Sequence, residues 1–145
     1  MAANQPAFKS LLLITIIFVC TSGFACQTSG NTTTSIPGPV SFARDIQPIF
    51  NDKCVSCHNL NTFAGGLNLS EGVAYKSLVN AKSDQSTRYY VSPGSPDNSY
   101  LVNKLLGTQS NVGGLGARMP LGGPVLPDSQ ITLIRQWINQ GALNN

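Results

Sequence analysis

A chain of 145 residues with nine Lys or Arg, six Asp or Glu and a formal net charge of +3 has room for one small domain and a leader, not for a multidomain enzyme. Only 10% of residues are charged and no basic stretch occurs, which argues against nucleic acid as a partner. Fourteen glycines and nine prolines predict long loops between short elements.

Lys9 precedes an apolar run at residues 11–19, and small residues Thr21, Ser22, Gly23 and Ala25 follow. That order is a secretory signal over residues 1–25, with an apolar core too short for a comfortable membrane span. Cleavage after Ala25 makes Cys26 the first mature residue. Bacterial lipoproteins are cut before a cysteine that then carries acyl chains, and this segment resembles their cleavage box. Gly23 and Phe24 depart from it, standing where an aliphatic and then a small residue are usual. Cys20 falls within the signal, so Cys26 has no obvious disulfide partner; acylation, a free thiol and an intermolecular disulfide are its alternatives. Residues 26–40 are mostly Thr, Ser, Gly, Asn and Pro, a composition that forms a flexible tether rather than a core.

Residues 41–145 then form the domain. Phe42, Ile46, Ile49 and Phe50 make one apolar helical face, with Asp45 as the expected N-cap and Pro48 in the first turn, where its missing N–H costs nothing. The helix leads into Cys54-Val55-Ser56-Cys57-His58, which contains the chain's single histidine. Two thiols three positions apart reach the two vinyl groups of a c-type haem, and the adjacent imidazole turns onto the iron. Zinc is one rival, but a structural zinc site wants a second ligand pair that the sequence lacks. A thioredoxin-like thiol pair is another, but it belongs at a strand-to-helix junction that is not evident here.

A short helix is predicted over 73–79. Ser95-Pro96-Asp97 predicts N-cap, N1 proline and first-turn acid of a helix running through Tyr100, Leu101, Lys104 and Leu105, with Gly107 as its left-handed end. Met119 lies in a Gly- and Pro-rich loop, on no repeating apolar face, and Pro120 stiffens the backbone behind it. A thioether held in a stiff loop suits the second axial position of a haem iron. Arg118 is a candidate contact for a haem propionate, or a solvated loop charge. The last helix is predicted over 128–140, with Ile131, Ile134 and Ile138 on one face; its Trp137 either packs or reaches a propionate, and packing needs no further reason. The fold class is all-α, a helical domain around one covalently attached haem c.

The blocks from Phe42 to Phe50, the CVSCH run and Gly65-Gly66-Leu67-Asn68-Leu69 resemble small bacterial mono-haem cytochrome c domains of the planctomycete type. So do Pro93 to Leu101, Met119-Pro120-Leu121-Gly122-Gly123-Pro124 and the closing Arg135-Gln136-Trp137-Ile138 with Gly141. The resemblance spans 41–142. It implies a class I-like helical cytochrome, with Cys54 and Cys57 holding the haem, and His58 and Met119 as axial ligands. Pro127 departs from it, since Ser or Thr usually caps the last helix.

These features predict an exported one-electron carrier at the periplasmic face of a bacterial membrane, in transient contact with redox partners and not itself an enzyme. A haem-based sensor, a peroxidase-like enzyme, and the subunit through which electrons enter a larger exported oxidoreductase are the alternatives.

Overall fold

The structure, a computed structural model, describes residues 38–145. The signal, Cys26 and nearly all of the tether therefore lie outside the described residues. The domain is all-α. Among the described residues, extended pairing is confined to two isolated bridges, Val79 with Val91 and Lys82 with Tyr89, that close the loop after the second helix. No helix there is long and apolar enough to cross a membrane.

The first helix begins earlier than the sequence predicts. Ser41, not Asp45, is its cap: the Ser41 hydroxyl accepts from the Arg44 N–H at 3.2 Å, and the Ser41 N–H donates to the Asp45 carboxylate at 2.8 Å. This reciprocal pair satisfies orphan donors at both positions. A wide π-turn, Phe42–Ile46, then feeds α1, Gln47–Lys53, and the Gln47 N–H reaches back to the Phe42 carbonyl. Pro48 accounts for the widening, because it lacks an N–H and its ring would crowd the carbonyl four residues before it. The apolar face follows the expected spacing: Phe42, Ile46, Ile49 and Phe50 are all buried.

α2 is the short Ala74–Leu78. The third predicted helix is broken in two. Pro96–Asn98 forms only a single tight turn, Ser99 is extended, and α3 runs Tyr100–Leu106. Ser99 causes the break: fully buried, its hydroxyl donates to the Ser95 carbonyl at 2.9 Å and accepts from the Ser92 N–H at 2.9 Å. That side chain offers the backbone a turn in place of a helix. Gly107 ends α3 in the left-handed conformation, as predicted.

α4, Asp128–Asn139, starts directly after Pro127 with no side-chain cap. Its buried stripe of Ile131, Ile134, Trp137 and Ile138 packs on the Phe42–Ile46 turn and on α3. The Trp137 ring lies 5.2 Å from that of Phe42, and its indole N–H donates to the Leu143 carbonyl at 2.9 Å. Trp137 is therefore a packing residue with its one donor already satisfied. The core sits between α1, α3 and α4, which leaves the end of α1 and the loop after α3 to form a cavity.

Candidate functional site

The chain after α1 turns sharply. Carbonyls of Phe50 and Cys54 accept the N–H groups of Cys54, Val55, Cys57 and His58, a string of tight turns that presents the two thiols and the imidazole to one hollow. The Asn59 side chain locks the turn, donating to the Val55 carbonyl at 2.7 Å and accepting from the Asn61 N–H at 2.8 Å. Further on, the Leu69 N–H donates to the His58 carbonyl at 2.8 Å, tying the returning strand of loop to the motif.

The hollow has a volume of about 320 Å³ and mostly apolar walls. Cys54, Cys57 and His58 line it, and so does Met119, 61 residues beyond the histidine in sequence. Leu67, Leu69, Leu101 and Leu105 supply the apolar surface, with Leu121 at the rim, 72% exposed. The structure thus places on one cavity the two cysteines that the sequence nominates for thioether attachment and the histidine and methionine that it nominates as iron ligands.

Met119 is held from behind. Its N–H donates to the Lys104 carbonyl at 2.8 Å, so the last turn of α3 fixes the loop. The Met119–Pro120 peptide bond is cis. Arg118 does not line the cavity; its guanidinium donates to the Gly123 carbonyl at 3.0 Å and more weakly to that of Met119 at 3.5 Å. Its position braces the loop, and its side chain packs where a Cβ on Gly107 would come within 3.2 Å.

The thiols are chemically unequal. Cys54 is half-buried and Cys57 exposed, and they are not joined to each other. Burial, with a smaller contribution from the Asp52 carboxylate, pushes the Cys54 thiol up to about 11. A redox-active pair needs a thiol pulled the other way, so the thioredoxin-like rival has no support in this environment. Among the described residues, no three His, Cys, Asp or Glu side chains converge as a metal-binding group.

A haem c fits what is present. The donor set is two thiols, one imidazole and one thioether around an apolar hollow.

Among the polar lining residues that the sequence did not nominate for the site are Gln85, Tyr90, Tyr100 and Lys104. Tyr100 is buried, and its hydroxyl donates to the Leu115 carbonyl at 2.9 Å. Lys104 is 8% exposed; its amine donates to Gln85 Oε1 and to the Leu115 carbonyl, each at 3.2 Å, and burial pushes its pKa down. The one available signal was position, since Tyr100 and Lys104 share a face of α3 with Leu101 and Leu105.

No family profile matches the chain. Its sequence is 32% identical, over an alignment of 122 residues, to the hydrazine synthase alpha subunit of Kuenenia stuttgartiensis. That match takes in 71% of this chain and 15% of the relative, so the chain corresponds to a small part of that subunit. A solved structure of Kuenenia stuttgartiensis hydrazine synthase matches at 27% identity over 71% of this chain and 16% of that one, with a TM-score of 0.48. The chain is similar to a segment of one subunit of an enzyme.

Proposed function

We propose that residues 41–145 are a mono-haem c-type cytochrome domain that carries single electrons between protein partners. The observation that supports this most is that Met119, distant in sequence from the Cys54–His58 motif, lines one apolar cavity with Cys54, Cys57 and His58. Cys54 and Cys57 would hold the haem through thioethers, and His58 and Met119 would supply its iron with a nitrogen and a sulfur donor. The group, when bound, supplies a reversible one-electron couple.

The chain's own residues have three tasks in this reading. The turn locked by Asn59 sets the thiols and imidazole in fixed relation. The Lys104 carbonyl and the Arg118 guanidinium hold the Met119 loop against motion, which keeps a weak sulfur donor in place and the reorganisation on electron transfer small. Leu67, Leu69, Leu101 and Leu105 keep water from the site, and a thioether with apolar surroundings raises the potential.

In the same proposal, residues 1–25 are an export signal and 26–40 a tether. The domain then works at the periplasmic face of a bacterial membrane, with Cys26 as the point of lipid attachment. The similarity to part of an enzyme subunit favours a second reading, in which this domain passes electrons into a larger exported oxidoreductase. Co-purification with a catalytic partner from the native source would distinguish it from a freely diffusing carrier.

The direct test is the visible spectrum of haem-matured protein, oxidised and reduced, beside Met119→Ala. Wild type is expected to be low-spin with a thioether-to-iron charge-transfer band. Met119→Ala is expected to lose that band, to bind carbon monoxide quickly and to have a lower midpoint potential. A high-spin wild type, or a variant with the same spectrum, would remove Met119 from the iron and bring the ligand-binding alternatives forward.

A further inference from the structure

Lys104 is a buried cation on the wall of an apolar cavity, and it has no ion-pair partner among the described residues: the three ion pairs there join Arg44 to Asp45, Lys53 to Asp52 and Arg135 to Asp97. Its amine meets only neutral groups, the Gln85 side-chain oxygen, the Leu115 carbonyl and the face of Tyr100, whose ring centre is 5.9 Å away. Burying a charge with only neutral partners is costly, and the usual resolution is an anion or loss of the proton. The surroundings are built to hold the amine where it is. Gly116 has φ +76°, and a Cβ there would come within 3.0 Å of Lys104 Nζ and 3.1 Å of Gln85 Oε1. With its oxygen occupied by Lys104, Gln85 has its amide N–H groups free for a second acceptor.

The group proposed above for this cavity is apolar over its faces and carries two carboxylates on one edge. We infer that Lys104, assisted by the Gln85 amide, is the cationic partner of a haem propionate. This role rests on the haem reading, and it assigns the anion contact to Lys104 instead of Arg118, whose guanidinium is already occupied by loop carbonyls. Lys104 is a positioning residue that also sets the local field: a positive charge beside the macrocycle disfavours the ferric state, which has one more positive charge than the ferrous state, and so raises the potential.

The test uses the full chain matured with haem, wild type beside Lys104→Met, Lys104→Arg and Gln85→Glu. Each is read by redox titration, by the propionate bending mode in resonance Raman spectra and by the thioether-to-iron band. Lys104→Met is expected to lower the midpoint potential and shift the propionate mode while the thioether band persists, and Lys104→Arg to restore both. Gln85→Glu keeps the lysine but gives its amine a carboxylate in competition with the propionate, so the potential should also fall. That variant decides the matter if Lys104→Met does not fold. Unchanged potential and propionate mode would overturn the inference. So would a fall in potential that comes with loss of the thioether band, because that is the mark of a mere brace for the Met119 loop. If the wild-type chain takes up no haem at all, the underlying haem reading fails instead, and a haem stain of the denatured protein shows this before any variant is made.

Discussion

Cys54 and Cys57 are separated by two residues, yet their environments give them different chemistry. A thiol pushed up to about 11 is almost wholly protonated at neutral pH; at pH 8 about one molecule in a thousand carries the thiolate. Cys57 is exposed, so a reagent reaches it without any opening of the fold. In protein made without haem, iodoacetamide at pH 8 is therefore expected to modify Cys57 well before Cys54, with peptide mass mapping as the readout. Equal rates would mean that the motif is not held in the folded turn. The cysteine spacing by itself suits haem attachment or a redox pair alike, and the apolar wall that raises the Cys54 thiol argues against the redox pair.

At the scale of elements, the start of the first helix was misplaced by the sequence because two signals coincide. Asp45 before Pro48 has the form of an N-cap with a first-turn proline, but the π-turn moves the true cap back to Ser41 and turns Asp45 into the residue that reaches back to it. The hydrogen bond from Arg44, then that from the Ser41 N–H, hold the Asp45 carboxyl below the usual carboxylate range. A carboxylate lowered in the folded state adds stability that is complete above its ordinary pKa and is lost as pH falls through the lowered value. Unfolding curves from pH 7 to pH 2 should show that loss in wild type and less of it in Asp45→Asn. Ser41→Ala should cost about 1 kcal/mol in denaturant titration at pH 7, as capping residues do; no change would mean that the cap is redundant with the bonds Asn145 accepts from the Phe42 and Ala43 N–H groups of the same turn. α4 and the end of α3 were legible because periodicity and a terminal Gly each act over a few residues. The break at Ser99 was not, since it depends on a buried hydroxyl meeting the backbone of Ser92 and Ser95, and burial is not written in local sequence. Lys104 was missed for a related reason: a lysine in a helix is ordinarily solvated, and nothing nearby in sequence marks this one as facing a cavity.

For the molecule as a whole, the hollow weighs most on stability. Apolar walls that face a cleft make fewer contacts than a packed core, and a domain of this size has a total stability of only about 5–15 kcal/mol. The compensating core is small: α1, α3 and α4 are seven, seven and twelve residues long and meet around Phe42, Phe50 and Trp137. Filling the hollow and cross-linking the chain at Cys54 and Cys57 would supply what these short helices cannot. Cys54→Ser/Cys57→Ser, produced without haem, is therefore expected to retain much of its far-ultraviolet helical signal. Near-ultraviolet aromatic signal should be weak, and unfolding broad and at far lower temperature than in the haem-loaded wild type. Trp137 gives an internal reference, because it is buried where α4 packs on the Phe42–Ile46 turn and does not line the cavity. If its fluorescence shows it packed while the signals of Tyr90 and Tyr100 are averaged, the helical core forms first and the cavity walls await their occupant. A double variant that melts cooperatively at the wild-type temperature would show instead that the hollow is self-supporting, and that this fold needs no cofactor to complete it.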